Sequence, residues 1–446
     1  MSAAGIAPRA AALRALGATL RRKCPLDLAL EESLAAQPLA DRDAGFARAI
    51  ANETLRRFGQ LDDLVRRFVP RAPPPHRAGP TLEILLAGAC ELLFLDVAPH
   101  AAVDGANRLA AADPKAVHFK PLINAALRRI AREGSTIAKS QDAVRLNTPD
   151  WLWIRWRECY GESTARMIAS IHAQTPPLDL NVRESDVTKF FPSLLAGENG
   201  RQALEKASRT LLPGGIVRLQ HAGRVEALPG YTEGMFWVQD FAASLPVRLL
   251  GDVAGRRVID LCAAPGGKTA QLAAAGAEVT AVERDAERLH RLASNLERLE
   301  LRARLVQTDA RDFQPERPAD RVLLDAPCSA TGTIRRHPEL PWIKSAGDIA
   351  ACADSAGELL DAAAEMVAPG GMLVFAVCSL EPEEGPEQVA HFLGSHGEFR
   401  RLPIAPEELF GLDMCLSSDG DLRSLPCHLA EKGGMDGFYG VRLARS

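Results

Sequence analysis

The N-terminal third repeats its apolar positions every three to four residues, which is the spacing of one face of an α-helix. Leu13, Leu16 and Leu20 follow this spacing, and so does the stretch 82–93. We therefore predict an all-helical region over about residues 11–133.

Proline divides this region, because proline lacks the amide donor that a helix interior needs. With prolines at 73–75 and at Pro80, one helix is expected to end near Phe68 and the next to begin near Thr81. A further, tryptophan-rich helix is predicted over 149–174, with its rings packed in a core.

After Pro177 the pattern changes from the period of a helix to that of strands. Short β-like runs at 178–183 and 216–219, separated by glycine-rich turns, indicate a small α+β region. From about Gly251 onwards strands alternate with helices, as in a doubly wound parallel sheet. The predicted strands are 258–261, 278–282, 304–307, 321–324 and 371–376, the predicted helices are 269–275, 286–299 and 346–367, and 437–443 is predicted as a closing edge strand.

A chain of 446 residues is too long for a single hydrophobic core, so several domains are expected. The pattern predicts a multidomain protein with an all-α N-terminal domain over 1–140 and a small α+β middle domain over 141–245. A C-terminal α/β, Rossmann-like domain is predicted over 246–446.

Composition narrows the class of protein. Charged residues make up 25% and hydrophobic residues 47%, which is ordinary for a globular protein. Nine cysteines, an odd number without a CxxC pair, argue against a disulfide framework and a zinc site. Without a signal-like leader or an apolar run of about 18 residues, a cytoplasmic protein with reduced thiols is expected. The net charge is −4, but basic residues exceed acidic ones by six over residues 1–145, so the N-terminal third is the basic part.

A glycine-rich loop, residues 260–269, follows the first strand of the α/β pattern. Two glycines directly before a helix let the backbone approach a ligand at the carboxyl end of a strand. The loop lacks the GxGxxG spacing of a dinucleotide site and the GxxxxGK[ST] spacing of a P-loop, so we predict a site for S-adenosylmethionine. The predicted cofactor-binding residues of this loop are Cys262, through its backbone, and Ala263, Ala264, Pro265, Gly266, Gly267 and Lys268.

Acidic residues follow the next three strands, namely Glu283, Asp309 and Asp325. In nucleotide-binding folds an acid after the second strand accepts the ribose hydroxyls, and Glu283 stands there. Asp309 is the candidate for the adenine amino group. Each acid alone would also suit a helix cap, but three in series at carboxyl ends favour a nucleoside site.

Two cysteines, Cys328 and Cys378, lie in proline-bearing loops after apolar strands. Thiols next to a cofactor site suggest covalent catalysis, because a thiolate can add to a substrate and later leave. The remaining cysteines are interpreted as small buried hydrophobes or lack any supporting context. The residues by themselves do not rank the two loop cysteines.

Four stretches, 238–240, 260–269, 325–338 and 377–384, resemble the RNA cytosine-C5 methyltransferases, and most closely their bacterial ribosomal subfamily known as RsmB, Sun or Fmu. The N-terminal region resembles the RNA-binding NusB family through residues 46–48, 54–56, 92–96 and 124–130. The resemblance spans nearly the full length. It implies a NusB-like helical domain, a middle region that recognises substrate and a methyltransferase domain. Glu283 stands where the family usually has aspartate, and it keeps the carboxylate.

The resemblance also implies the chemistry. A methyl group would pass from S-adenosylmethionine to C5 of a cytosine in 16S ribosomal RNA, leaving S-adenosylhomocysteine. Cys378 would be the nucleophile that adds to C6, and Cys328 would assist proton removal or release. Asp325 would orient the cytosine and lie near the cofactor. Lys268 has three candidate partners: the carboxylate of the cofactor, an RNA phosphate and Asp325.

Contacts to RNA are predicted for Arg335 and Arg336, which follow the cysteine loop, and for Arg128 and Arg129 in the helical domain. Solvated surface is the alternative for each pair. The expected partner is 16S ribosomal RNA outside the assembled subunit, with no membrane and a monomeric protein. Two rival functions stay open, namely the same reaction on transfer RNA and a non-catalytic RNA-binding or antitermination factor.

Overall fold

The computed structural model describes residues 5–183, 209–220 and 223–446. The chain forms two compact units, one of residues 1–173 and 334–345 and the other of residues 174–333 and 346–446. Parts of the predicted middle region, 184–208 and 221–222, lie outside the described residues. The division into three domains at residues 140 and 245 therefore stays a prediction.

Helices build the first unit around one apolar core, which confirms the predicted all-α N-terminal part. Its helices are α1 (Ala7–Arg22), α2 (Leu26–Ala36), α3 (Asp41–Arg56), α4 (Phe58–Phe68), α5 (Pro75–Ala78), α6 (Thr81–Phe94), α7 (Pro99–Ala112), α8 (Lys120–Ser140), α9 (Ala143–Leu146) and α10 (Asp150–His172), with 3₁₀ turns at Ala116–Phe119 and a short helix at Leu340–Ile343. The predicted end at Phe68 and restart at Thr81 are confirmed.

Helix α10 is broken once, at Gly161, whose φ of 79° lies in the left-handed region. Glycine adopts this conformation without the steric cost of a side chain. Trp153 and Trp156 are buried, as predicted, whereas Ile154 between them is 45% exposed. The helix thus buries one side only.

A small antiparallel sheet opens the second unit. Its strands β1 (Leu178–Val182), β2 (Arg209–Leu212), β3 (Ile216–Leu219) and β4 (Phe236–Val238) lie in the order β2-β3-β1-β4. Asp179 on β1 and Arg218 on β3 form a buried ion pair at 2.6 Å, and Arg218 also donates to the carbonyl oxygen of Gly434 at 2.5 Å. Because unpaired charges are costly to bury, this bonding fixes the register of the two strands.

The large sheet has the order β10-β12-β9-β8-β5-β6-β7, with β11 paired to β12. Its strands are β5 (Arg257–Leu261), β6 (Glu278–Glu283), β7 (Arg304–Gln307), β8 (Ala319–Asp325), β9 (Val367–Val377), β10 (Phe399–Arg401), β11 (Leu422–Ser424) and β12 (Phe438–Arg445). The accompanying helices are α11 (Phe241–Arg248), α12 (Gly267–Ala274), α13 (Ala286–Arg298), α14 (Ala346–Glu365) and α15 (Pro386–Ser395).

Parallel pairing joins β5 to both β6 and β8. The chain therefore winds outward from β5 in one direction through β6 and β7, and in the other through β8 and β9. This reversal is a topological switch point, and ligands of such sheets bind outside the carboxyl ends of the strands there. The predicted Rossmann-like fold is confirmed.

The prediction of β12 as an edge strand is wrong. It runs antiparallel to β9 on one side and to β10 on the other. The three-residue strand Phe399–Arg401 is too short to give a periodic signal in the sequence. None of the described helices combines the length and apolarity that crossing a membrane requires.

Candidate active site

The cofactor loop turns sharply between β5 and α12. Gly266 has a φ of 102°, and a Cβ atom there would lie 2.9 Å from Cγ of Leu292. Both the backbone conformation and the space therefore require glycine. Helix α12 begins at the next residue, Gly267, at the carboxyl end of β5.

A pocket opens beside this loop. Its walls include Cys262, Glu283, Asp309, Pro327 and Leu359, which follow β5, β6, β7 and β8 or lie on α14. Carboxylates at two strand ends together with apolar side chains suit a nucleoside, which presents hydroxyls and a flat ring. The residues present thus fit S-adenosylmethionine.

Glu283 is buried at the carboxyl end of β6. Its carboxylate accepts hydrogen bonds from the amides of Ala264 at 3.3 Å and Asp285 at 3.1 Å. It also pairs with Arg288 at 3.3 Å. These contacts fix the carboxylate in the pocket wall, and its predicted contact with the ribose stays a prediction.

Asp309 has a different environment, at the exposed side of the same pocket. Arg311 donates from Nε and Nη2 to its two oxygens at 2.9 and 2.8 Å. These hydrogen bonds lower the pKa of Asp309 to about 2. The carboxylate is therefore ionised at neutral pH and available as an acceptor, and its predicted contact with adenine stays a prediction.

Below the loop, Asp260 is completely buried and accepts a hydrogen bond of 2.6 Å from Oγ1 of Thr269. Burial raises the pKa of Asp260 to about 7. The contact ties the end of β5 to helix α12. The sequence marks Asp260 only as the end of a strand, and its burial follows from the sheet around it.

Lys268 and Asp325 meet at the switch point. Nζ of Lys268 donates to Oδ2 of Asp325 at 2.6 Å and lies 5.1 Å from the ring centre of Phe438. Of the three candidate partners of Lys268, the structure shows Asp325. One oxygen of this carboxylate is thereby held by a cation at the carboxyl end of β8.

The two loop cysteines, which are 50 positions apart in the sequence, lie side by side. Sγ of Cys328 is 3.4 Å from Sγ of Cys378, and both side chains are partly buried. The hydrogen bond to Cys378, together with burial, raises the pKa of the Cys328 thiol well above its usual value. Cys328 therefore keeps its proton at neutral pH.

Glu384 holds the two cysteine loops together. Its buried carboxylate accepts hydrogen bonds from the amide and hydroxyl of Ser329, at 2.6 and 2.5 Å, and from the hydroxyl of Ser379. Ser329 and Ser379 are the residues that follow the two cysteines. Burial raises the pKa of Glu384. Sequence reasoning gave this glutamate no role, although it lies within the family-like stretch 377–384.

The residues predicted to touch RNA fall into two groups within the first unit. Arg335 is fully buried, and its predicted contact with a phosphate stays a prediction. Arg336, Arg128 and Arg129 are exposed. Arg129 is 3.5 Å from Glu133 and lies over the ring of Phe68 at 4.7 Å.

Neither unit offers, within its described residues, a cluster of three His, Cys, Asp or Glu side chains placed to hold a metal ion. The cysteines at 328 and 378 are therefore paired with each other in the described part of the chain, and not gathered with further metal ligands.

Comparison with known proteins gives the family. The model described as 16S rRNA methyltransferase RsmB/F matches residues 247–444, and the NusB family model matches residues 7–132. Ribosomal RNA small subunit methyltransferase B of Pseudomonas putida is 38% identical and covers 98% of both chains. The protein of the same name from Pseudomonas syringae pv. tomato is 36% identical, over 98% of this chain and 97% of its own.

A solved structure, that of PH0851, shares the fold over 99% of both chains, with a TM-score of 0.74 at 22% identity. The predicted family, enzyme class and cofactor are confirmed. This chain belongs to the ribosomal RNA small subunit methyltransferase B family, with a NusB domain at its N-terminal end, and it is an S-adenosylmethionine-dependent RNA methyltransferase.

Proposed function

We propose that this protein methylates C5 of a cytosine in 16S ribosomal RNA through a covalent bond between Cys378 and C6 of the base. The observation that carries the proposal is the 3.4 Å distance between the sulfurs of Cys328 and Cys378, beside an acid held by Lys268. The names of the relatives supply the class of RNA.

A thiol is needed because C5 of cytosine is a poor nucleophile. Addition of the Cys378 thiolate to C6 turns the ring into an enamine, whose C5 carries the electron density. S-adenosylmethionine, when bound, supplies the methyl carbon that C5 attacks. The C5 proton then leaves to a base, the ring double bond re-forms, and Cys378 departs as a thiolate.

The contact between the two sulfurs suits a pair of thiols with linked roles. Either sulfur can donate in this contact, and the hydrogen bond together with burial raises the pKa of the Cys328 thiol. When Cys378 is a thiolate, the Cys328 thiol can donate to it and so stabilise the negative sulfur before addition and after release. Following the family resemblance, we assign Cys378 as nucleophile and Cys328 as the residue that assists release.

Asp325 is proposed to orient the cytosine. Its carboxylate is fixed by Lys268 at 2.6 Å, next to the loop that carries Cys328. A carboxylate can accept a hydrogen bond from the exocyclic amine, and in protonated form it can donate to N3 and favour addition at C6. We propose contacts to the cofactor for the loop 262–268, Glu283 and Asp309.

The target base must leave its stack to reach the thiol, so a single-stranded or flipped-out cytosine is required. We propose that the exposed residues Arg128, Arg129 and Arg336 contact RNA phosphates, which adds affinity that falls with salt. The substrate is 16S ribosomal RNA before subunit assembly, when single strands are accessible.

The test is to incubate the protein with labelled S-adenosylmethionine and total RNA from a strain that lacks it, and to map 5-methylcytosine by bisulfite sequencing. A methylated cytosine in 16S ribosomal RNA is expected. Label in transfer RNA would favour the rival substrate, and the absence of any methylated cytosine would overturn the proposal and favour a non-catalytic RNA-binding role.

Cysteine variants test the mechanism. Cys378→Ala should reduce methyl transfer by more than about 10³-fold, as loss of a nucleophile does. Cys328→Ala should instead accumulate an RNA adduct that survives a denaturing gel, because release is slowed. Cys427→Ala, outside both loops, is the control and should behave as the wild type. An adduct that persists without Cys378 would reverse the two assignments.

A further inference from the structure

The carbonyl group next to the proposed nucleophile is bound by an arginine. Nη1 of Arg423, on β11, donates to the carbonyl oxygen of Ser379 at 2.7 Å. Ser379 directly follows Cys378, is completely buried, and belongs with Arg423 to the second compact unit. A buried carbonyl needs a donor, and here a charged side chain 44 positions away in the sequence supplies it.

The pairing of three strands brings Arg423 to this loop. Arg423 lies opposite Tyr439 on β12, and Tyr439 lies opposite Val377 at the end of β9. Opposite residues of an antiparallel pair have neighbouring side chains on one face of the sheet. The guanidinium carbon of Arg423 accordingly lies 5.1 Å from the ring centre of Tyr439, where a cation is attracted to the ring. The side chain of Arg423 thus extends across β12 towards the end of β9.

The ring beneath Arg423 is itself fixed. Tyr439 is buried, and its hydroxyl donates to Oδ2 of buried Asp421 at 2.7 Å. Burial, together with the neighbouring carboxylate, raises the pKa of Tyr439, so the hydroxyl keeps its proton and stays a donor. Arg423 therefore lies over a ring that is anchored at both ends, by the strand and by Asp421.

The backbone on both sides of Ser379 is hydrogen-bonded. The carbonyl oxygen of Cys378 accepts from the amide of Gly332 at 3.0 Å, and the amide of Leu380 donates to Oγ1 of Thr331 at 3.0 Å. Peptide groups are planar, so only the φ and ψ angles of Ser379 join these two peptide groups. Because Arg423 binds the carbonyl of the second group, all three contacts together fix the conformation of Ser379.

Cys378 lies between two fixed neighbours. Before it, Val377 is paired in the sheet with Tyr439, and after it Ser379 depends on Arg423 for the hydrogen bond to its carbonyl oxygen. Without Arg423 this buried carbonyl loses its donor, which favours a rotation of the peptide group towards another donor. Ser379 is bonded covalently to Cys378, so a displacement of Ser379 moves the backbone that carries the thiol.

We propose that Arg423 is a positioning residue for methyl transfer, which fixes the backbone of Cys378 by holding the carbonyl oxygen of Ser379. This inference rests on the proposed function, in which Cys378 is the nucleophile. Arg423 lies outside the residues that line the cofactor pocket. Its loss is therefore expected to change the rate and not the binding of S-adenosylmethionine.

The test compares Arg423→Ala, Arg423→Lys and the control Arg400→Ala in the full-length protein. Arg400 is an exposed arginine on β10 of the same sheet. Arg423→Ala should lower kcat by about tenfold, because small displacements of reacting groups are costly. The Kd for S-adenosylmethionine and the KM for RNA should stay unchanged. Arg423→Lys should recover part of kcat, because an ammonium group can still donate to the carbonyl, and Arg400→Ala should match the wild type.

Covalent addition gives a measurement that a loss of stability does not change. In the Cys328→Ala background, where an RNA adduct is expected to accumulate, adding Arg423→Ala should lower the rate constant of adduct formation by about tenfold at saturating RNA. A smaller fraction of folded protein would lower only the amount of adduct. An unchanged rate constant, or a Kd for the cofactor that rises as kcat falls, would overturn the positioning role.

Amide hydrogen exchange separates this inference from the proposed function. If the wild type methylates no RNA and forms no adduct, the proposed function fails. Faster exchange at residues 379–381 in Arg423→Ala than in Arg400→Ala would still show that Arg423 holds the loop. Equal exchange in the two variants would overturn the role of Arg423 whatever the wild type does to RNA.

Discussion

The cofactor side and the cysteine side of the candidate site are held in different ways. On the cofactor side, the acids at strand ends pair with basic side chains, as Glu283 does with Arg288 and Asp309 with Arg311. On the cysteine side, one buried acid, Glu384, binds the hydroxyls of two serines. The first arrangement keeps charges near a pocket, and the second fixes the positions of two loops.

The difference matches the tasks that we propose for the two sides. A nucleoside with hydroxyls and an amine is bound well by fixed carboxylates, because hydrogen bonds to charged groups are the stronger ones. A nucleophile must instead be placed accurately against a ring carbon, and a buried hydrogen-bond network provides that rigidity. Substitutions on the cofactor side should therefore change binding, and those on the cysteine side should change the rate.

Glu384→Ala should have the largest effect, on kcat and on stability but not on the affinity for the cofactor. It leaves three donors, the amide and hydroxyl of Ser329 and the hydroxyl of Ser379, without their acceptor. We expect kcat to fall by about 10²-fold and the free energy of unfolding by about 3 kcal/mol. Rapid-quench assays of methyl transfer measure kcat, and urea unfolding measures the free energy of unfolding. The control is Glu387→Gln, at an exposed glutamate at the start of α15. An unchanged rate in Glu384→Ala would contradict the proposed difference between the cofactor side and the cysteine side.

Glu283→Gln should act on the other side of the comparison. The amide keeps one acceptor but loses the charge that strengthens hydrogen bonds to ribose hydroxyls, so the Kd for S-adenosylmethionine should rise about tenfold, or about 1.4 kcal/mol. At saturating cofactor kcat should equal that of the wild type. Calorimetric titration gives the Kd, with exposed Glu287→Gln as control. A loss of kcat with unchanged Kd would contradict the proposed role of Glu283.

Asp260→Asn should have the smallest effect on methyl transfer, and its main effect should be on the pH dependence of stability. The pKa of Asp260 is raised to about 7 by burial, whereas an unfolded chain has an aspartate pKa of about 3.9. Between these values the unfolded state binds fewer protons, so the stability of the wild type falls as the pH rises from about 4 to 7, and this loss is complete above 7. Asparagine does not titrate, so Asp260→Asn should abolish this pH-dependent loss of stability.

Urea unfolding at pH 5, 6, 7 and 8 measures this effect. Relative to Asp260→Asn, the wild type should lose on the order of 1 kcal/mol per pH unit up to pH 7, and then no more. The same substitution at exposed Asp312 should leave the pH dependence unaltered. A constant difference between wild type and Asp260→Asn would show that Asp260 is ionised in the folded protein throughout.

The sequence located the elements of the large sheet closely. The strand predicted at 304–307 has those bounds in the structure, and the predicted helix 286–299 differs from α13 by one residue. This alternation of strands and helices also predicts that the loops after β5 and β8 lie together at the switch point, because parallel strands place their carboxyl ends at one edge of the sheet. Short elements such as β10 were not predicted, because three residues show no hydrophobic periodicity.

The site residues that the sequence missed share one property, since their partners are distant in the chain. Glu384 binds Ser329, which is 55 positions away, and Arg423 binds the carbonyl of Ser379 across 44 positions. No local sequence pattern indicates such long-range contacts. Arg335, predicted as an RNA ligand from its place after the cysteine loop, is buried, and residues 334–345 belong to the helical unit.

By itself the sequence determined the order of helices and strands, the glycine-rich cofactor loop and the presence of two thiols in strand-end loops. Periodicity, proline and glycine act over a few residues, so these features are readable without a structure. Tertiary structure alone decided that the sulfurs of Cys328 and Cys378 lie 3.4 Å apart, that Lys268 faces Asp325, and that residues 334–345 join the helical unit. These are contacts between distant parts of the chain, and only packing brings them together.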